Sequence, residues 1–233
     1  MTSLNFTPAS PPTLIAFMAI IVAVVVMFLS ANYFASRKLL ENAKKKTAIV
    51  GLVLFSWLFA LAIIVQNGLL QEHPFPTMPL FFIFNVGAVL WFSFSHWGAK
   101  LALAIPICFL IAFQIFRLPL ELILHSWSEQ GTIPSTMTWT GQNFDIITGI
   151  LALALAPLAG RIRWAAWTFN VIGLALLLNV MRVAVMSSPL PFAWSVEPPL
   201  QLIFHLPYAL IAPVCVGGAL AGHIILTRAL LYH

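Results

Sequence analysis

The polar side chains that could carry chemistry in this chain are Arg117, Glu121, His125, Asp145, Asn179, Arg182, Glu197 and His205, each set beside or within a long apolar stretch. Arg117, Glu121 and His125 stand four residues apart, so a helix stacks them on roughly one face. Asn179 and Arg182 share a face one turn apart, and Glu197, Gln201, His205 and Tyr208 surround the entry to the last apolar stretch. A histidine with an acidic neighbour can act as general acid or base near neutral pH, and an arginine can hold an anionic group or a developing oxyanion. Arg182, His205 and Asp145 are therefore the catalytic candidates, and all eight residues are ligand-binding candidates. No nucleophile stands out: Ser187, Ser188 and Thr148 lie at a suitable depth, but no G-x-S-x-G elbow surrounds them.

Each of these groups also has a structural reading. The stripe at 117–125 is either an interfacial helix whose polar side faces water, with Arg117 snorkelling, or a stripe aimed inward. Asp145 at the start of a span is also a helix cap accepting from the N–H of Ile147 or Thr148. Arg182 near the hydrocarbon edge is a functional-site candidate or one half of an ion pair with Asp145 or Glu197. His96 and His223 would bind haem or a metal only by facing each other at one depth, and are otherwise hydrogen-bonded residues near helix ends. Cys108 and Cys215 lie in apolar runs without ligand spacing and read as packing residues. No metal and no cofactor is expected.

The elements that position these groups follow from composition. With 61% apolar and 7% charged residues, and a mean hydropathy of +1.01, the chain has too little polar surface to cover a water-soluble globule. Segments of roughly 20 apolar residues that pair their own backbone groups can cross a bilayer, and the length test predicts seven. These are 12–35, 48–69, 78–94, 99–116, 144–159, 164–186 and a last one from 198 to about 228. One bundle, 1–233, is expected, with an extracytoplasmic amphipathic segment at about 117–143. The first span reads as a retained helix rather than a cleaved signal, because a basic run follows it.

Charge gives the orientation. Arg37, Lys38, Lys44, Lys45, Lys46, Lys100, Arg161, Arg163 and Arg228 fall at alternate ends, while Glu72, Glu121, Glu129, Asp145 and Glu197 fall at the others. Cytoplasmic loops hold Lys and Arg, so the amino terminus is expected outside and the carboxy terminus inside, in a cell membrane, the bacterial inner membrane. The net charge of +5 belongs to these loops and anionic headgroups, not to nucleic acid. Gly218 and Gly222 form a GxxxG pattern that serves packing within the chain or self-association with a second membrane helix. Pro207 and Pro213 predict a kinked last helix.

Two resemblances follow from particular strings. The stretches 116–125 (FRLPLELILH), 137–149 (MTWTGQNFDIITG) and 206–210 (LPYAL) resemble a recurring type of small bacterial polytopic membrane protein with no assigned activity. Asn179, Arg182 and His205 are similar to the Asn-x-x-Arg and following histidine of exosortases and archaeosortases, which are membrane transpeptidases. In that family a Cys-Ser-Gly precedes them; here Ile147, Thr148 and Gly149 stand in its place, so the resemblance implies a relative without the thiol nucleophile. Two functions are thus expected. One is a membrane protein binding a small amphiphile, membrane lipid or a partner span in an outward-facing polar pocket. The alternative is an exosortase-like intramembrane transpeptidase or protease. Transport has less support, since no inverted repeat is evident.

Overall fold

The structure, a computed structural model, describes residues 5–159 and 162–232. Arg161, one of the basic residues used for orientation, lies outside the described residues. Among the described residues every regular element is helical. In chain order the α-helices are α1 (Pro11–Lys38), α2 (Ala43–Gln66), a single turn α3 (Leu69–Glu72), α4 (Pro74–Phe94), α5 (His96–Ala104), α6 (Ile107–Ala112), α7 (Arg117–Glu129), α8 (Ile146–Leu155), α9 (Arg163–Met186) and α10 (Gly217–Tyr232), with short 3-10 and π turns between them.

Six helices among the described residues are long and apolar enough to cross a membrane: α1, α2, α4, the stretch Ile107–Glu129 that joins α6 to α7, α9, and the stretch Tyr208–Tyr232 that ends in α10. The chain is built as a multi-pass membrane protein. The sequence predicts a seventh at 144–159, which instead forms the 10-residue α8. At 1.5 Å per residue α8 covers about 15 Å, half of a hydrocarbon core. Its amino-terminal end lies within the bundle, where Asp145 is buried, and the chain leading to it, irregular apart from the 3-10 turn Ser135–Met137, buries Thr132, Ile133, Met137, Thr138 and Asn143. Irregular backbone at such depth is tolerated where protein covers it.

The fourth span is displaced from its expected place at 99–116. Ahead of Pro106, Ile105 is forced out of the helical region to φ −88°, ψ 129°, which ends α5. The apolar helical stretch runs Ile107–Glu129, so Arg117–Glu129 forms its second half and is continuous with the span. The join is the 3-10 turn Phe113–Phe116, and Pro119 explains its place, because proline has no N–H to offer the carbonyl of Ile115. Pro213 acts similarly in the last span, where Ile211–Val216 is a widened π turn.

Long-range contacts define two ends. At one, the Ala9 N–H donates to the Tyr208 hydroxyl at 2.9 Å, Ser10 N–H to Gln130 Oε1 at 2.6 Å, and Trp127 Nε1 to Thr13 Oγ1 at 3.1 Å. At the other, Lys38 reaches the Ala104 carbonyl at 3.1 Å, Arg163 the Leu230 carbonyl at 2.6 Å, Arg228 the Ser95 carbonyl at 3.0 Å, and Lys100 pairs with Glu41. Basic side chains therefore collect at one end and cap carbonyls there. Gly218 faces Val24 and Phe113, and Gly222 faces Gln114 and Phe113. The small face is filled within the chain, letting the last span sit against α1 and the fourth.

Candidate functional site

Halfway along the fourth span, Arg117 is 1% exposed. A lone guanidinium there is costly in any membrane protein, and the fold surrounds it with acceptors. Its Nε donates to Asp145 Oδ2 at 2.5 Å, its Nη2 contacts Asp145 Oδ1, and its Nη1 lies 3.0 Å from His223 Nε2. The planar fork matches the carboxylate with two parallel bonds. Glycine permits the meeting: a β-carbon at Gly149, one turn beyond Asp145, would stand 2.6 Å from the backbone nitrogen of Leu118. α7 and α8 thus touch backbone to backbone beside the pair.

The hydrogen-bond directions beyond Arg117 are fixed by chemistry. A guanidinium only donates, so His223 Nε2 accepts and Nδ1 carries the ring proton. Nδ1 then donates to Asn170 Oδ1 at 2.9 Å, Asn170 Nδ2 donates to Thr227 Oγ1 at 2.7 Å, and Thr227 Oγ1 donates to the His223 carbonyl at 2.9 Å. Gly173 makes room for the ring, since a β-carbon there would overlap His223. Both ring nitrogens are committed, so a metal or haem at His223 would have to displace Arg117 or Asn170. On the other side, Thr148 Oγ1 donates to Asp145 Oδ1 at 3.2 Å, Asn143 Oδ1 accepts the Asp145 N–H at 3.0 Å, and Asn143 Nδ2 reaches Glu121 Oε1 and Oε2 at 2.9 and 3.0 Å. One polar chain therefore runs from Glu121 through Asn143, Asp145, Arg117, His223 and Asn170 to Thr227, tying together α7, α8, α9 and α10.

The chain of polar groups borders a cavity of about 300 Å³. Glu121, Arg117 and Asp145 stand in its wall, and most of the rest is hydrocarbon from α4, α9 and the π turn, including Leu177, Met181 and Cys215. Two lining residues, Ile83 and Phe192, are 65% and 54% exposed, so the cavity reaches the bundle surface there. Its volume lies at the lower end of the range of about 300–1,000 Å³ typical of small-ligand sites.

The sequence-derived site residues divide between this centre and the bundle's periphery. The expected stripe is split: Arg117 and Glu121 are buried, whereas His125 stacks on Trp139 with centroids 4.1 Å apart and lies 3.7 Å from Glu129. Asp145 occupies the cap position of α8, but its carboxylate makes no cap bond and is taken by Arg117. Arg182 does not meet Asp145 or Glu197. It is exposed, donates to Asn179 Oδ1 at 2.9 Å and Gln142 Oε1 at 3.3 Å, and lies over Trp194 at 5.4 Å. Among the described residues Arg182 forms no ion pair. Glu197 is exposed. His205 stacks on Phe6 at 3.9 Å, and burial pushes its imidazole below the usual histidine range. Arg182, His205 and Thr148 thus belong to three separate sets of contacts.

Sequence reasoning missed His223, Asn170, Asn143 and Cys215 as members or neighbours of the centre. Polar residues deep in apolar stretches were the available signal for the first two. No protein-family model, curated protein sequence or solved structure matches this chain.

Proposed function

We propose that this protein binds a membrane amphiphile in the cavity beside Glu121, Arg117 and Asp145, the site lying toward the outer face of a bacterial inner membrane. One observation carries the reading: a cavity walled by hydrocarbon, open at the bundle surface near Ile83 and Phe192, with buried ionisable groups converging on one part of its wall. Sites of that construction suit ligands with a large apolar body and one polar end. The orientation rests on Lys38, Lys100, Arg163 and Arg228 gathering at one end, which the positive-inside rule assigns to the cytoplasm.

Cys215 reports on occupancy, because it lines the cavity and Cys108 is the sole other cysteine. In a Cys108→Ala background reconstituted into nanodiscs, decanol should slow labelling of Cys215 by an apolar maleimide. It should also raise the melting temperature, as any ligand of the folded state does. Labelling and melting both indifferent to decanol would remove the amphiphile reading.

A further inference from the structure

We infer that the polar end of this amphiphile is a protonated amine held by Glu121. The inference rests on the cavity being an amphiphile site, and names its head group. Glu121 is 2% exposed and lines the cavity. Among the described residues its two oxygens share a single side-chain donor, the Asn143 amide. The neighbouring base is already committed: Arg117 gives two of its nitrogens to Asp145 and the third faces His223. Arg117 and Asp145 cancel in charge, and His223 accepts from Arg117 as a neutral ring. Among the described lining residues no second base exists to balance Glu121.

A buried carboxylate needs a counter-charge or a proton, because surroundings of low dielectric cannot solvate it. A carboxylate facing hydrocarbon with one amide partner has lone pairs free for an ammonium N–H, and such charge-assisted bonds are stronger than neutral ones. An anionic head would meet the opposite situation, with Glu121 repelling it and the guanidinium already bonded. An alcohol would be accommodated without preference. The chemistry therefore selects a lipophilic primary or secondary amine.

The test compares decylamine, decanol and decanoate as protectors of Cys215 in the Cys108→Ala protein. It uses zwitterionic nanodiscs, with each compound's concentration expressed as its membrane-bound amount. Decylamine should protect at a concentration at least about ten-fold lower than decanol, with decanoate weakest. Glu121→Gln keeps an acceptor for Asn143 and removes the charge; it should bring decylamine to within about three-fold of decanol in the same variant. If all three compounds protect equally in the Glu121 protein, the amine inference fails and the amphiphile reading stands. If none protects, both fail. An amine preference that survives Glu121→Gln would place the cation elsewhere. Loss of decanol protection in Glu121→Gln would mean that Glu121 shapes the cavity without reading the head group, which also overturns the inference.

Discussion

Arg117 and Asp145, 28 positions apart in the chain, form a two-bonded ion pair in the middle of a hydrophobic bundle. The pair joins the second half of one long helix to the start of a half-length one, so it fixes where the non-helical chain between them must turn. Buried pairs of this kind are lost asymmetrically, since removal of one partner strands the other.

Arg117→Met should therefore destabilise the protein by about 3–5 kcal/mol. The double variant Arg117→Met with Asp145→Leu should recover a large part of that loss, because no charge is left unpaired. Melting temperatures in detergent measure both. A double variant no more stable than the worse single one would show that the pair does not act as a unit.

Gly173→Ala and Gly149→Ala should each cost about 1–3 kcal/mol, as overpacked core positions do. The first drives a β-carbon into the His223 ring and the second into the Leu118 backbone. Gly87→Ala in α4 is the control, since nothing lies within 4 Å of its added carbon. Equal melting temperatures for all three would contradict the close packing that brings Arg117 to Asp145.

His205 gives the stability a pH dependence of known sign. Its folded-state imidazole is pushed below the ordinary value of about 6.5 by burial. As pH falls through 6.5 the unfolded chain takes up a proton that the folded chain resists, so this contribution is full above that pH and is lost below it. Replacing His205 with Phe keeps a ring against Phe6 and should flatten the melting profile between pH 7 and 5. An unchanged profile would show that His205 is not the group responsible.

Glu41 titrates in the more acidic range. The hydrogen bond from Lys100 holds its carboxyl below the usual carboxylate range, so the pair's stabilisation is full above the unfolded value of about 4.3 and is lost as pH falls from there through the lower folded-state value. Both side chains are partly solvated, so the expected effect is small. Glu41→Gln should remove the change in melting temperature below pH 4 that is caused by this pair, leaving the His205 effect intact.

The threading of the chain is open to thiol labelling in intact cells with Cys108→Ala and Cys215→Ala. Glu129→Cys should react with a charged maleimide from outside, and Lys45→Cys only after permeabilisation. The same sidedness for both positions would overturn the proposed orientation.

Membrane class and most spans were legible in the sequence because they depend on length and apolarity, which are properties of single segments. The basic cluster at one bundle end was legible for the same reason, as each loop carries its own charge. Arg117, Glu121 and Asp145 could be picked out as polar residues where hydrocarbon disfavours them, but their partners could not. Asp145 sits where an N-cap is expected and Arg182 was the nearest-seeming base, so local spacing favoured the wrong pair. Tertiary contact decided between them: Gly149 lets α8 lie against Leu118, which places Asp145 at Arg117 and leaves Arg182 to Asn179, Gln142 and Trp194. The half-length α8 was likewise invisible, because an apolar run does not reveal how deep in the bundle its helix begins. That depth is set by what the preceding chain can bury and hydrogen-bond, and only the assembled helices supply those partners.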